Sequence, residues 1–515
     1  MALLSSSRTS PVNRAASATM AMKRLLLIFV VAATAEINAQ SAPAACAGSF
    51  CPTLVQDVSW GTNNGTQNGN GFKYHLPNPT LANNLLICGA SWDTAATATI
   101  TDNIGTNTWV DGPTSNNGTR KIMLKYVLGV AVGTQHLTLT LAAPSANVHF
   151  RCSEFYNVAT SSAVDGTPSS ASNVAGPTVA AGSITTTVNG DLIYHYGVDD
   201  ANLCCGNAVT SFVAGSNFNL LPSDRHLGFF AQYQVQAAAG TINPTMTANQ
   251  SSHDPFGSAA IAFKAASAGS APGPNIRILR ELQTNNNASG NDFTIQWPCS
   301  GNLTVFSQGE SNNYHTITSI TDTNSNLFTA VSRSPGEPYM YYAANTNCST
   351  PNTRTMVVHG NVGGSTASDV IYDIANAAAS PFDNRASGFD NQNPNVATAS
   401  CVLNSASTDH APDITPIAAP GIAIVVAEEG TGPRCDLYGD GYVMDSGWYT
   451  GATDDSTLMD NGNGYGHYYY STTATIDFHW LWANNGFSSN GFNLAATFKQ
   501  APVSGTRRRV VVKIQ

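Results

Sequence analysis

Carboxylates are the first residues in this chain whose types and spacing could do chemistry. Cleavage of a glycosidic bond uses two carboxyl groups about 5 to 9 Å apart across the sugar. On an extended strand that geometry calls for an i, i+2 pair, because alternate side chains share a face. Glu428-Glu429 are adjacent and so point to opposite faces. The nearby stretch Asp436–Asp445, DLYGDGYVMD, begins like an EF-type calcium loop, with Asp436, Asp440 and Gly441 at the first, fifth and sixth places. Tyr438 at the third place and Gly447 at the twelfth remove two ligands, including the bidentate carboxylate. What remains is a looser oxygen site for Ca2+ from Asp436, Asp440 and Asp445. A glycan-active hydrolase in this region would rest on Glu428 and Asp436.

None of the 11 histidines falls in an HExxH or H-x-H pattern, so the zinc spacings are missing. His149, His195, His467 and His479 lie in strand-like runs among aromatics and read as packed side chains. No G-x-S-x-G stretch supports a nucleophile elbow. Aromatics carry the remaining chemistry, because sugar rings stack on exposed Trp and Tyr faces. Trp448, Tyr449, Tyr465, Tyr468 and Tyr470 are the candidate glycan contacts. Trp480 and Trp482 share a period-2 face with Ile476 and Phe478 and read as core.

The elements that must position these residues are strands. Asn84–Ser91, NLLICGAS, is a continuous apolar run of strand length, expected to be buried on both faces. In Val148–Tyr156, alternation places His149, Arg151 and Ser153 on one face and Phe150, Cys152 and Glu154 on the other. Ile100–Trp109, ITDNIGTNTW, reads as strand, turn and strand, and ITDTNSNLF repeats it from Ile320. Asp102 and Asp322 are expected to cap that turn through their side chains. The whole pattern occurs twice, over 53–264 and 275–500, with the small-residue linker 265–274 between the copies. The leader 40–52 precedes them and the basic tail 501–515 follows. No helical period persists over a helix length, so both copies are expected to be all-β.

With about ten strands each, the copies suit two tandem homologous β-sandwich domains of jelly-roll or concanavalin-like type, the immunoglobulin-like sandwich being the alternative. They resemble a family of repeated secreted bacterial β-sandwich domains. That resemblance rests on the N-[DN]-L-L strand (Asn84–Ile87), the T-D-x-x-G-N-x-[WY] turn (Thr101–Trp109, with one extra residue) and the closing A-x-[AT]-F strand (Ala260–Phe263). Asn302–Val305, Thr321–Phe328 and Ala495–Phe498 are the second set, with Ser325 in place of the turn glycine and Phe328 as the aromatic. The resemblance implies a fold and an extracellular setting, and it carries no agreed activity.

Bulk composition agrees with export. Of 515 residues only 10% are charged and 42% are hydrophobic, and the formal net charge is −10. An acidic, weakly charged chain lacks the basic face that nucleic acid requires. Met22-Lys23-Arg24 followed by Leu25–Ala33 reads as a signal peptide within 1–39, starting at Met20 or Met22 and cut before Gln40. No later run is apolar enough to span a bilayer as a helix. The ten cysteines, an even number in an exported chain, read as disulfides. Cys88–Cys152, Cys299–Cys348 and Cys401–Cys435 are the expected pairs, each inside one copy, and Cys46 could bridge Cys51. These observations lead us to expect a secreted or periplasmic, non-catalytic protein that binds polysaccharide or cell-surface glycan, with no cofactor beyond the Ca2+ site above. A hydrolase at Glu428 and Asp436 and a structural or adhesive surface protein are the alternatives.

Overall fold

A computed structural model describes residues 51–61, 71–92, 97–116, 120–143, 145, 148–174, 177–199, 211–222, 228–248, 256–266, 269–286, 292–310, 316–333, 337–361, 367–390, 408–410, 413–429, 434–439, 443–444, 464–476, 479–484 and 491–503. Among them the only helical element is the short 3-10 turn Pro351–Thr353. The fold is otherwise strand and turn, as the period-2 patterning requires. No helix among the described residues is long and apolar enough to cross a membrane. The signal-peptide reading and the basic tail from residue 504 onward lie outside the described residues.

At the centre is one sheet of ten strands, five from each copy. The first copy supplies, from the middle outward, Thr53–Gly61, His149–Tyr156, Asn84–Trp92, Lys121–Val130 and Val110–Asn116. The second supplies Arg277–Asn286, Ala367–Ala375, Leu303–Glu310, Tyr339–Ala344 and Phe328–Ala330 in the same order. The copies meet where Thr53–Gly61 pairs in parallel with Arg277–Asn286, with Asp57 opposite Arg280, Val58 opposite Glu281 and Ser59 opposite Leu282. The linker therefore joins two halves of one sheet, and the described residues from 51 to 503 fall in a single compact unit.

Parallel pairing of equivalent strands has a geometric consequence. The half turn that relates the copies runs along the strands, so it exchanges the two faces of the sheet. The registers bear this out. Val58 belongs to the core under the first copy's three-stranded sheet (Gly71–His75, His136–Leu141 and Ala98–Asp102). Its equivalent Leu282 lies in the core under the second copy's three-stranded sheet (Asp292–Gln296, Thr355–Asn361 and Thr316–Asp322). Because Ser59, not Val58, stands opposite Leu282, and neighbours across a ladder share a face, these two small sheets cover opposite sides. Each copy's other side is covered by a five-stranded sheet, built around Leu192–Asp199 in the first copy and Gly421–Glu429 in the second.

Asn84–Trp92 shows why its sequence is apolar throughout. Leu86, Cys88, Ala90 and Trp92 fill the core on one side, and Leu85 and Ile87 fill the core on the other. All nine positions are buried. Each such Leu or Ile contributes about 1.5–3 kcal/mol relative to exposure. The central sheet is thus sandwiched on both faces, where a jelly roll would have a single pair of sheets.

Two of the expected disulfides are present, Cys88–Cys152 and Cys299–Cys348. The first joins directly opposed residues of neighbouring strands, with Cα atoms 4.1 Å apart. In the second copy that place is held by the opposed pair Phe306 and Ile371, so the disulfides of the two copies are not equivalent. Cys51 is disulfide-bonded, with its partner outside the described residues. Cys401 also lies outside them, as does the side chain of Cys435, and with them the third expected pair.

Candidate functional site

The repeated turn is a structural joint. Asp102 Oδ1 accepts the N–H groups of Ile104 and Gly105 at 2.9 and 3.0 Å, and its Oδ2 accepts Trp109 Nε1–H at 2.8 Å. Asp322 Oδ1 accepts those of Asn324 and Asn326 at 3.1 and 2.8 Å. Phe328 has no donor to match Trp109. The second copy replaces it with Arg354, whose Nε and Nη2 reach Asp322 Oδ2 at 2.8 and 2.7 Å in a buried ion pair. Ser325 takes the left-handed conformation (φ 59°) where Gly105 does (φ 71°).

A second carboxylate position is also shared. The strands at the seam bulge at Leu54/Gln56 and at Ile278/Arg280. After the bulge, Gln56 Nε2 donates to Glu154 Oε2 at 2.7 Å in the first copy, and Arg280 Nη1 donates to Asp373 Oδ2 at 2.8 Å in the second. Glu154 also accepts Asn84 Nδ2–H and Leu81 N–H. Burial pushes its carboxyl up, and those neutral donors only partly offset the shift.

One pair of carboxyls does sit together, and neither member stood out in the sequence. Asp165 accepts Thr187 N–H, Val188 N–H and the Thr187 hydroxyl at 2.6, 3.1 and 2.7 Å. Burial works against its charge, but hydrogen bonds from Asp191, Thr187 and Val188 outweigh it and hold the carboxyl well below the usual range. Asp191 is wholly buried. Burial, reinforced by the neighbouring Asp165 carboxylate, pushes its carboxyl up to about 8. In the second copy Asp383 accepts the N–H groups of Ile417 and Ala418 in the same way. There Gly421 takes the place of Asp191, and the Tyr470 hydroxyl occupies the space its side chain would need. Both arrangements tie a turn to a strand start, and their carboxylates are committed to that task.

The most reaction-like geometry is Asp292–His359–Thr321. Asp292 Oδ2 lies 2.9 Å from His359 Nδ1, and His359 Nε2 lies 2.8 Å from Thr321 Oγ1. Carboxylate, imidazole and hydroxyl in line is the order of a nucleophile relay. The three come from three neighbouring strands and so leave no local sequence signal. They lie on the outward face of the small sheet, where Asp292 and Thr321 are exposed. The Gly360 N–H that reaches the group is spent on Asp292 Oδ1. The line is a cross-strand hydrogen-bond chain on the outward face of the small sheet.

The aromatic candidates separate by burial. Tyr465 and Tyr470 are 1% and 4% exposed, which corrects the expectation that they meet a ligand. Tyr465 packs in the second copy's core. Tyr470 folds over Gly421, where a Cβ would collide with its hydroxyl. Tyr468 is 36% exposed and keeps an open ring. Trp448, Tyr449, Asp440 and Asp445 lie outside the described residues. Glu428 and Asp436 are on the strands Gly421–Glu429 and Arg434–Gly439, with side chains outside the described set, as are those of His479, Trp480 and Trp482.

His149, His195 and His467 are packed as expected. His195 is bonded to Ser258 Oγ and Gln232 Nε2 at 2.6 and 2.9 Å, and burial lowers it to about 3. His467 is buried and bonds the Pro77 carbonyl at 2.8 Å. Burial, with Arg151 and Arg120 nearby, holds His149 well below its ordinary value, beside the Tyr196 hydroxyl. Among the described residues no group of three or more His, Cys, Asp or Glu side chains could hold a metal ion. No protein-family model matches the chain, and no curated protein matches it.

Proposed function

We propose that the protein is a secreted, non-catalytic binding protein that recognises glycan through the loops at one end of its shared sheet. The observation that carries this reading is the parallel seam. Because Thr53–Gly61 and Arg277–Asn286 run the same way, the chain leaves both strands at the same end. Asn84–Trp92 and Leu303–Glu310 also finish at that end, since each runs antiparallel to a strand that is itself antiparallel to the seam strand of its copy. Equivalent connections of the two copies therefore depart side by side from one rigid edge. Loops on a rigid scaffold are the usual carriers of recognition.

The chemistry of the connecting sequences fits a neutral polar ligand. Thr62–Asn70 is TNNGTQNGN, and Trp448-Tyr449 falls between Val443–Met444 and Gly464–Tyr470 of the second copy's five-stranded sheet, where the Tyr465 hydroxyl accepts the Gly309 N–H at 2.8 Å near the end of Leu303–Glu310. Amides and hydroxyls can exchange hydrogen bonds with sugar hydroxyls, and Trp or Tyr faces can stack on sugar rings. Six of the carboxylates with described side chains, Asp102, Asp322, Glu154, Asp373, Asp165 and Asp383, accept hydrogen bonds that hold turns and strands, which supports the non-catalytic part of the reading. Binding of the full mature chain to a glycan array tests the proposal. Retention of one glycan class is expected, and no retention on any glycan would refute it.

A further inference from the structure

We propose that His75 and His136 form a two-histidine surface site for a divalent transition-metal ion of the Cu2+, Ni2+ or Zn2+ class. The two residues stand directly opposite each other on neighbouring antiparallel strands, Gly71–His75 and His136–Leu141. Their neighbours Tyr74 and Leu137 point into the core, so alternation sends both imidazoles to the outward face. Their ring centroids are 4.4 Å apart, with planes inclined at 73°. Two ring nitrogens about 2.0–2.1 Å from a shared ion, meeting it at roughly a right angle, place imidazole centroids about 4.5–5 Å apart. The observed centroid spacing is close to what chelation requires.

The backbone under the pair is held firmly. Asn103 Oδ1 accepts the N–H groups of Gln135 and His136 at 2.9 and 3.1 Å, and Gln135 Nε2 donates to the Leu76 carbonyl at 3.1 Å. A rigid pair loses little freedom on binding, which favours affinity. Water completes the coordination, since two protein ligands leave several positions open.

The second copy shows that the fold does not require this pair. At the same register it has Gln296 opposite Thr355. Gln296 is spent on the seam between copies, where it accepts Phe212 N–H and donates to the Phe212 carbonyl at 2.7 and 2.6 Å. The histidines thus belong to the first copy alone, on a sheet face where a polar amide would serve the structure.

Titration of the tag-free full mature chain with Cu2+, Ni2+ and Zn2+ salts by calorimetry tests the site. One Cu2+ per chain should bind at this site, more tightly than Ni2+ or Zn2+, following the usual affinity order of these ions for imidazole. His75→Asn and His136→Asn should each weaken Cu2+ binding at least tenfold while leaving the metal-free melting temperature within a few degrees of the parent. His136 is exposed, so its variant keeps the test valid should the His75 variant fold poorly. Absence of Cu2+ binding by the parent chain, or unchanged affinity in His136→Asn, would overturn the proposal.

Discussion

The Tyr469 hydroxyl donates to Asn78 Oδ1 at 2.7 Å, joining residues 391 positions apart. It also accepts Ile278 N–H at 3.0 Å, while Asn78 Nδ2 donates to the Ile278 carbonyl at 2.8 Å. On the opposite face Asn352 accepts Leu220 N–H and donates to the Phe218 carbonyl at 2.8 and 2.7 Å. The two copies thus clamp each other across the seam on both faces of the sheet, as the half turn along the strands demands.

Asn78 Nδ2 also donates to Gln56 Oε1 at 3.1 Å, so Asn78→Ala removes bonds to Tyr469, Ile278 and Gln56 together and should cost about 2–4 kcal/mol, because it leaves buried partners unsatisfied. Tyr469→Phe should cost about 1 kcal/mol. The double variant should lose less than the sum, since both changes break one network. Urea unfolding midpoints measure all three, and strict additivity would contradict the shared network.

The two turns should respond differently to loss of their second donor. Trp109→Phe deletes one hydrogen bond to Asp102 and should cost about 1 kcal/mol. Arg354→Ala removes the only counter-charge shown beside the buried Asp322 carboxylate among the described residues and should cost about 3–5 kcal/mol. Thermal denaturation of each single variant checks the ranking, and equal losses would show that the ion pair adds nothing to the turn.

The Asp165–Asp191 pair makes stability fall with rising pH. An unfolded Asp releases its proton near pH 3.9, whereas folded Asp191 keeps it to about 8. Between those limits the folded state holds one proton more, so stability declines as pH rises, by no more than about 1.4 kcal/mol per unit, and levels off above about 8. Asp165 contributes the opposite trend below pH 4, because its folded carboxyl is held down. Asp191→Asn, which keeps a neutral donor at every pH, should flatten the decline between pH 5 and 8. An unchanged profile of melting temperature against pH in that variant would rule out the shared proton.

Much of the fold was legible because it follows from local pattern. The apolar run at Asn84 announced a strand buried on both faces, and alternation in Val148–Tyr156 sorted His149, Arg151 and Ser153 from Phe150, Cys152 and Glu154. Asp102 and Asp322 cap their turns as their side-chain chemistry suggested. What stayed hidden depends on which strands become neighbours. Period-2 patterning is the same whether Thr53–Gly61 ends a domain or joins another, so the linker at 265–274 read as a boundary where the sheet continues. The Asp292–His359–Thr321 line, the His75–His136 pair and the Asp165–Asp191 contact are all made across the chain between distant positions. Tyr470 was misplaced for a related reason: only the missing Cβ of Gly421 on the next strand lets its ring lie down and become buried.

Calorimetric titration of the full mature chain with the glycan class retained on an array tests the central claim most directly, run beside Trp448→Ala and Glu428→Gln. Saturable binding without release of reducing ends, weakened at least tenfold in Trp448→Ala and unchanged in Glu428→Gln, is the predicted result. Glycan cleavage by the parent chain that disappears in Glu428→Gln would contradict the account and establish a hydrolase.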